Sequence, residues 1–389
     1  MEPSFLPQGA TSDTVALAMG NPAVEALPWD SLQQAGARAL ALPRAHQALQ
    51  YGDEQGVPEL ITYLADKVSR TEGILVAPQN VMITAGSTGA VDMIARLYAH
   101  RTGVVLVEAP TYRDVLQVFR DQHLRLVSVA IDDDGPMIEP LRALLERLHR
   151  EQALPSVFYT IPTFHNPGGI TASLERRQAV IDLCQQYGVL IVEDDVYRDI
   201  SFDKKPPPSY YALAGGVGVV SVGSFSKTLA PGLRLGWIVA AEGVIQTCIN
   251  SGSLQMGGGA NPLVASLVTE YCQQGLWEAH IDGLRELYGE RRDAMLVALA
   301  AHMPPDVTWT KPNGGYFVWL TLPQAVDGGW LAARAKAAGV LIAPGHSFFA
   351  EGDPHTRHIR LSFSYAQPEA ITQGIAALAG VVRDLTEGA

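Results

Sequence analysis

The feature that most limits the possible folds of this 389-residue chain is a series of short apolar runs that alternate with helix-like segments. The runs are rich in β-branched residues and read VMITAG, GVVLVEAP, LRLVSVAI, SVFYTIP, GVLIVEDD, GVVSVGS and GWIVA. This alternation predicts an α/β fold with a mostly parallel sheet and helices on both faces. Ligands bind such sheets beyond the carboxyl ends of the strands, so functional residues are expected directly after the runs.

The length of the chain suits two domains, or one large domain with a smaller satellite, and its 47% of hydrophobic residues can form a substantial core. A long, charged helical pattern follows the alternating region, and after it come VTWTKPNGGYFVWLTLP, GVLIAPGHSFF, HIRLSFS and a last helix. We therefore predict a large ligand-binding domain over residues 46–275 and a linking helix with a small α+β domain over 276–389. Residues 1–45 are predicted to join the small domain.

Charge and apolar patterning exclude several classes of function. The net charge of −12 and the lack of any basic run argue against a nucleic-acid partner, because phosphate contacts need clustered Lys and Arg. No apolar run is long enough for a membrane span, and the first residues do not resemble a signal peptide. Cys184, Cys248 and Cys272 lack the spacing of metal ligands and suit a reducing compartment. A cytoplasmic protein without a metal site is expected.

The first two strand ends offer an anion site and an aromatic ring. After VMITAG, the residues Gly86, Ser87 and Thr88 begin a helix, and free N–H groups at a helix start attract anions. By itself this stretch fits an ordinary N-cap better. Tyr112 follows VVLVEAP, where a tyrosine is more often a packing residue than a functional one.

The next two strand ends add an amide and carboxylates. Asn166 stands before a proline in TFHNPGG, which alone is an ordinary turn signal. Asp194 and Asp195 end the run GVLIVEDD, and Tyr197 lies just beyond. A carboxylate at the end of a buried strand needs a cationic or hydrogen-bonding partner.

The last strand end carries an amine. SVGSFSKTLAPGLRLGW contains Ser224, Ser226, Lys227 and Arg234, and Lys227 is the one lysine of the chain that stands at such a strand end. One ligand needs the whole set, pyridoxal 5'-phosphate (PLP). An amine binds its aldehyde, a carboxylate keeps its pyridine nitrogen protonated, and its phosphate needs a helix start with a cation.

The same motifs resemble fold-type I, class I/II aminotransferases over nearly the whole chain. The motifs that carry the resemblance are LQYGDEQGVPELITYLA, ITAGSTGAVDMI, VEAPTYRDVLQVF, FHNPGG, VEDDVYRDI, SFSKTLAPGLRLGW, KPNGGYFVWL and HIRLSFS, in the family's order. The branch most similar holds 2-aminoadipate and kynurenine aminotransferases and the enzyme-like domain of MocR regulators. No DNA-binding segment precedes the motifs in this sequence, so an enzyme is expected.

The resemblance implies specific roles in a PLP site. Lys227 would form the Schiff base with the cofactor and act in catalysis. Asp194 would face the pyridine nitrogen, whereas Asp195 would point elsewhere. Asn166 and Tyr197 would hold the ring oxygen. Tyr112 would stack on the ring, and the phosphate would be surrounded by Gly86, Ser87, Thr88, Ser224, Ser226 and Arg234.

The resemblance also implies a substrate site and a shared assembly. Arg360, within IRLSFS, would bind the substrate α-carboxylate as a bidentate pair, and Arg357 is its less suitable neighbour. Asn166 and Gly20 would line the substrate side. Tyr51 would reach the phosphate of a second subunit, so a homodimer with shared sites is expected. The stretch LQMGGGANP (254–262) departs from the family pattern, which leaves substrate preference open there. NPGG in place of the commoner NPTG is expected to be a mild change.

Transamination between an L-α-amino acid and a 2-oxo acid, by a ping-pong mechanism, is the predicted reaction. The alternatives are other reactions of the same cofactor, namely β- or γ-elimination or replacement, cyclisation as in aminocyclopropane-carboxylate synthases, decarboxylation and racemisation. A serine hydrolase is excluded because GHSFF around Ser347 lacks the last glycine of the nucleophile motif.

Overall fold

A computed structural model describes residues 14–43, 45–351 and 356–387 of the chain. Its helices are α1 to α13 in chain order: Trp29–Ala41, Pro58–Glu72, Gly86–Tyr98, Arg113–Asp121, Ile138–Arg150, Leu174–Tyr187, Tyr210–Leu213, Glu242–Ile249, Gly252–Gln255, Pro262–Gln273, Leu276–His302, Gly328–Ala337 and Pro368–Glu387. Its strands are β1 to β14: Val15–Ala16, Val81–Thr84, Val104–Ala109, Arg125–Asp132, Gly135–Pro136, Val157–Thr160, Leu190–Asp194, Val219–Ser224, Gly236–Ala240, Thr308–Trp309, Phe317–Thr321, Val340–Leu341, Ala343–Pro344 and His358–Ser362.

The central sheet has eight strands in the order β2-β9-β8-β7-β6-β3-β4-β5. Neighbours from β8 through β7, β6 and β3 to β4 are parallel, while β9, β2 and β5 pair antiparallel. All seven apolar runs singled out in the sequence form strands of this sheet. The parallel strands therefore bring their carboxyl ends to one edge, and the predicted fold class is confirmed.

The crossover helices begin and end where the local sequence allows. Ser173 caps α6 by accepting a hydrogen bond from the Arg176 N–H, and Gly188 ends the helix in the left-handed region at φ +68°. Both are common signals for helix ends, since a short hydroxyl satisfies a free N–H and glycine tolerates positive φ. The apolar residues of α3, α4 and α8 pack on one face of the sheet with β3, β6 and β9.

A second, smaller sheet lies in the last third of the chain. Its four strands pair antiparallel in the order β10-β11-β14-β13, and β1 pairs in parallel with β12. Leu17, next to β1, is fully buried in one apolar cluster with residues of α11, β11, β14 and α13. The start of the described chain thus packs with its end, while the exact limits of the predicted domains stay predictions.

The described ranges contain neither a membrane-spanning helix nor a cluster of metal ligands. No helix there is both long and apolar enough to cross a membrane. The same residues contain no group of three or more His, Cys, Asp or Glu side chains that could hold a metal ion.

Candidate active site

A cavity of about 240 Å³ lies at the carboxyl edge of the central sheet. Strand ends from β6, β7 and β8, the first turn of α3, the N-terminal segment and β14 contribute to its wall. Eleven residues singled out from the sequence line it: Gly20, Ser87, Thr88, Tyr112, Asn166, Asp194, Tyr197, Ser226, Lys227, Arg234 and Arg360. Residues from seven separate segments of the chain therefore meet in one place.

Lys227 lies in the loop after β8 with its amine inside the cavity. Its Nζ donates to the Gly20 carbonyl at 2.9 Å, and the ring centres of Tyr197 and Tyr316 lie 5.8 and 5.9 Å away. Burial lowers the pKa of Lys227 to about 8, and the positive charge of Arg360 acts in the same direction. An amine with this pKa can both accept and release a proton near neutral pH.

Asp194 is the last residue of β7 and is buried. Its Oδ2 accepts a hydrogen bond from the Tyr159 hydroxyl at 2.6 Å, whereas Oδ1 has no hydrogen-bond partner among the described residues. Burial raises the pKa of Asp194 to about 6, against the lowering effect of the Tyr159 hydrogen bond. Because a buried carboxylate oxygen without a partner is costly, Oδ1 is suited to a ligand that brings a positive N–H group.

Asp195, the next residue, does not line the cavity. Its Oδ2 accepts from Arg198 at 3.1 Å, and the side chain lines a different groove. This placement matches the expectation that Asp195 points elsewhere.

The opposite end of the cavity suits an anion. Gly86 opens α3 at φ +75°, and a Cβ on it would lie 2.9 Å from Arg234 Nη2. Any side chain there would both strain the backbone and displace the guanidinium. Ser87, Thr88 and Ser226 line the cavity nearby. Free N–H groups at the helix start and a guanidinium together form a site for a phosphate.

Two predicted phosphate residues lie outside the wall of the cavity. Gly86 directly precedes the lining residue Ser87, and its lack of a side chain leaves room for the Arg234 guanidinium. Ser224 is buried, and its hydroxyl donates to that of Ser226 at 3.0 Å while accepting from the Ser226 N–H. Ser224 therefore orients Ser226 in this structure.

Arg360 enters the cavity from β14. Its Nη1 donates to Asn166 Oδ1 at 2.8 Å, and its Nη2 donates to the Ala18 carbonyl at 2.5 Å. Its guanidinium also lies over the ring of Phe317, 4.2 Å from the centre. Burial lowers the pKa of Arg360 to about 10, so the group stays cationic at neutral pH. Arg357, the alternative, is not part of the cavity wall.

Three aromatic side chains shape the middle of the cavity. Tyr197 packs edge-on against Phe317, with ring centres 5.7 Å apart. The Tyr112 hydroxyl donates to Asp114 at 2.7 Å, and burial raises the pKa of both tyrosine hydroxyls above their ordinary value. The rings therefore stay neutral and can pack on, or donate to, a flat ligand.

Tyr51 lies away from the cavity and on the surface. Its side chain is 86% exposed, and Gly257 packs beside its ring so closely that a Cβ would approach Tyr51 Cδ1 to 2.9 Å. Met256 next to it is 88% exposed. Tyr51 and residues of the 254–262 loop thus form one exposed surface. Tyr51 does not line the cavity of its own chain.

The sequence patterns do not predict Phe317 and Asp114, which line the cavity, or Tyr159, which supports Asp194 beside it. Tyr159 was overlooked because it lies inside a strand, where its partner Asp194 belongs to the next strand. Phe317 was overlooked because only the packing of the small sheet brings it there. Asp114 was hidden beside Tyr112, although its position two residues later in PTYRD was a usable signal for a hydroxyl partner.

The residues present fit PLP. An unpartnered buried carboxylate oxygen, an amine of lowered pKa and a helix start with a guanidinium match the ring nitrogen, the aldehyde and the phosphate. The fold and the site together define a PLP-dependent enzyme.

Comparison with known proteins places the chain more narrowly. Residues 12–378 match the profile of the family described as "Aminotransferase class I and II". The chain belongs to this family.

Individual relatives agree over nearly full length. The chain is 37% identical to aromatic-amino-acid aminotransferase 1 of Thermococcus litoralis, covering 96% of this chain and 89% of that protein. It is 35% identical to the 2-aminoadipate transaminase of Thermus thermophilus, covering 95% and 90%. The crystal structure of a Pyrococcus horikoshii kynurenine aminotransferase, in complex with PMP, superposes with a TM-score of 0.91 at 35% identity, covering 96% of this chain and 92% of that one. The predicted family, aminotransferase activity and cofactor are confirmed.

Proposed function

We propose that the cavity transfers an amino group from an L-α-amino acid to a 2-oxo acid with Lys227 as the catalytic base. The observation that carries this proposal is that Lys227, Asp194 and Arg360 share one buried cavity without any of them being paired with another of the three. Charges left without a direct ion pair are available for a cofactor and a substrate.

Lys227 serves as the proton carrier of the reaction. With a pKa of about 8 instead of the ordinary 10.5, about a tenth of the Lys227 amine is unprotonated at pH 7, and this form can remove a proton from the α-carbon of a bound amino acid. In the opposite half-reaction the same Nζ returns a proton to the α-carbon. When the Lys227 amine is not bonded to the cofactor, the Gly20 carbonyl, 2.9 Å away, fixes its position by accepting a hydrogen bond.

Arg360 binds the α-carboxylate that both the amino acid and the oxo acid carry. The rings of Phe317 and Phe348, 4.2 and 4.8 Å from the guanidinium carbon, exclude water and fix its plane. Asn166 Oδ1 accepts a hydrogen bond from Arg360 Nη1 and thereby orients the guanidinium toward the cavity. Because one arginine serves donor and acceptor in turn, ping-pong kinetics are expected.

The other residues hold the cofactor. When bound, PLP links to amines through its aldehyde, and its ring withdraws electrons from the attached carbon. Asp194 Oδ1 would accept a hydrogen bond from the protonated ring nitrogen, Asn166 and Tyr197 would bind the ring oxygen, and Tyr112 would pack on the ring face. The phosphate would be held by Gly86, Ser87, Thr88, Ser226 and Arg234, with Ser224 supporting Ser226.

The enzyme is proposed to act as a homodimer in which Tyr51 of each copy reaches the phosphate end of the other copy's cavity. Support comes from the exposed surface that Tyr51 forms with the 254–262 loop, where Met256 and Leu49 are also exposed. Exposed apolar patches of this kind mark interaction sites. A Tyr51→Phe variant that binds PLP as tightly as the wild type would contradict the contact, and a fully active monomer in sedimentation would contradict the dimer.

A cytoplasmic location is proposed as well. It is supported by Cys184, Cys248 and Cys272, which are all buried free thiols in the structure. The amino acid itself is to be found by experiment, and the named activities of the relatives supply the first candidates: aromatic amino acids, 2-aminoadipate and kynurenine.

The deciding experiment is single-turnover mixing of the PLP-loaded protein with a panel of amino acids. Conversion of the bound cofactor to pyridoxamine phosphate, seen by absorbance and confirmed by mass spectrometry, is expected for at least one of them. If products form with every reactive amino acid but pyridoxamine phosphate never does, elimination, replacement or cyclisation takes the place of transamination, with Lys227 still the base.

A further inference from the structure

A buried pair, Glu108 and His165, lies beneath the turn that carries Asn166. The two side chains are 2% and 1% exposed, and His165 Nε2 lies 3.1 Å from Glu108 Oε2. The N–H direction is poorly aligned with this oxygen, so the contact is mainly electrostatic. Neither residue lines the cavity. Because burying a carboxylate costs free energy, a pair buried beside the cavity without lining it is a candidate for a role in positioning its neighbours.

His165 is the centre of the turn. Its backbone N–H donates to the Ile170 carbonyl at 2.8 Å, and its carbonyl accepts from the Gly169 N–H at 2.6 Å. Its ring Nδ1 accepts from the Gly168 N–H at 3.0 Å. Because Nδ1 is an acceptor, the ring proton belongs on Nε2, the atom that faces Glu108. One side chain thus closes the turn on itself and joins it to the carboxylate.

Glu108 in turn is fixed to the central sheet. It belongs to β3, and its Oε1 accepts from the Thr160 hydroxyl at 2.6 Å at the end of the neighbouring β6. Its Oε2 accepts from the Ile161 N–H at 2.9 Å, just beyond that strand. The carboxylate therefore has a fixed position relative to two parallel strands, and His165 takes its own position from it.

The consequence falls on the residue after His165. Asn166 has its side chain in the cavity, where Oδ1 accepts from Arg360 at 2.8 Å. A rotation of the turn would move the amide away from the cofactor ring and release one N–H of the arginine fork. A site held within a fraction of an ångström needs such a supporting contact, since displacement by about 1 Å can cost on the order of 100-fold in rate.

We propose that Glu108 and His165 are positioning residues that fix the Asn166 amide against the cofactor ring oxygen and, through it, the plane of the Arg360 guanidinium. This inference rests on the role proposed above for Asn166. It predicts that a substitution at His165 alters the absorbance titration of the bound cofactor, although the His165 side chain does not contact the cofactor.

The test compares two substitutions that each keep half of the histidine. His165→Asn places an acceptor near the position of Nδ1 and keeps the Gly168 contact, but it withdraws the group that faces Glu108. His165→Gln places an amide N–H near the position of Nε2 and keeps the Glu108 contact. Thr160→Val is the matched control, because it removes a buried hydrogen bond from Glu108 Oε1 but leaves the Ile161 N–H on Oε2, the oxygen that faces His165.

The readouts are measured on PLP-loaded protein and on the cofactor-free protein. They are the pH titration of the cofactor absorbance band, the dissociation constant for PLP, kcat and KM for a reactive amino acid, and the melting temperature. Asn166→Ala provides the reference shift of the absorbance titration.

We expect His165→Asn to shift the titration midpoint in the same direction as Asn166→Ala and to lower kcat/KM about tenfold to a hundredfold. We expect His165→Gln to restore most of both, and Thr160→Val to lower the melting temperature without a spectral shift. The inference is overturned if Asn166→Ala shifts the spectrum but both histidine variants leave it unchanged, or if Thr160→Val shifts it equally. An unshifted Asn166→Ala spectrum instead overturns the proposed role of Asn166 itself, and this inference with it.

Discussion

The cavity and a neighbouring groove use buried charges in opposite ways. The groove, of about 410 Å³, is lined among others by Lys67, Glu72, Asp195, Arg198 and Asp199, and we call it the Lys67 groove. In it Lys67 and Arg198 are both paired with carboxylates: Lys67 binds Asp199 at 2.7 Å, and Arg198 binds Glu72 at 2.6 Å and Asp195 at 3.1 Å.

In the cavity Lys227, Arg360 and Asp194 are held by neutral groups instead. The amine of Lys227 binds a carbonyl, Arg360 binds an amide and a carbonyl, and Asp194 binds a hydroxyl. Neutral partners keep the charged groups in place but leave their charge uncompensated. We infer from this contrast that the ion pairs of the Lys67 groove stabilise the fold, whereas the cavity gives up stability to keep charge free for a ligand.

The two lysines provide the strongest test of this contrast. Lys227→Ala should lower kcat by at least roughly 10³- to 10⁴-fold, because the proton carrier is lost, while the melting temperature stays close to that of the wild type. Lys67→Met should leave kcat nearly unchanged and lower the free energy of unfolding by about 1–3 kcal/mol, because Asp199 loses its partner. Steady-state kinetics and urea unfolding of both variants decide the matter. Reduction with borohydride that traps the cofactor on Lys67 would reverse the assignment.

Adjacent carboxylates give the second test. Asp194→Asn should slow α-proton removal by roughly 10²- to 10³-fold, because an amide cannot hold a pyridinium proton by charge. Asp195→Asn should mainly weaken the pairing with Arg198 and reduce stability. Exchange of the substrate α-proton measures the chemical step directly. A larger rate loss for Asp195→Asn would show that the two carboxylates have been assigned the wrong way round.

The cost of the free carboxylate can be measured in the cofactor-free protein. The pKa of Asp194 is raised from its ordinary 3.8 to about 6, so the folded chain binds this proton more tightly than the unfolded chain. Its contribution is favourable below pH 3.8 and is lost as the pH rises through 6. Asp194→Asn should therefore stabilise the cofactor-free protein by about 2–3 kcal/mol at pH 8 and by little near pH 4. Equal unfolding free energies at pH 8 would contradict a costly ionised carboxylate.

The smallest effect is expected for the hydroxyl that supports Asp194. Tyr159→Phe removes the 2.6 Å hydrogen bond to Oδ2 and should raise the pKa of Asp194 further. We expect kcat to fall about tenfold, the scale of one hydrogen bond to a charged group. The Tyr159→Phe enzyme should also lose activity at a higher pH on the acid side than the wild type. An unchanged pH profile would mean that the tyrosine only fills space.

The rule about strand ends explains how much of the site the sequence could predict. Lys227, Asp194 and Asn166 each follow an apolar run, and parallel strands bring such positions to one edge whatever the details of packing. Arg360 does not follow from this rule, and only the resemblance to a family pointed to it.

The missed residues depend on distances that no local pattern contains. Phe317 reaches the cavity because β11 pairs with β14, where its Cα partner is Ser362, and because the small sheet shares an apolar cluster with residues that follow β6 and β7. Tyr159 and Glu108 lie within strands, and their polar atoms meet partners on neighbouring strands. Apolar runs predict where strands are, but which side chains meet across them is decided by register.

The N-terminal segment accepts hydrogen bonds from two cations of the cavity, Lys227 and Arg360. The carbonyl of Ala18 accepts from Arg360 and that of Gly20 accepts from Lys227, just after the two residues of β1. The order of this segment and the charge of the cavity are thus linked functions in the thermodynamic sense. A ligand that reacts with the Lys227 amine removes its hydrogen bond to Gly20 and so destabilises the ordered form of the segment. By linkage, ordering of the segment must change the affinity of the cavity for that ligand by the same factor.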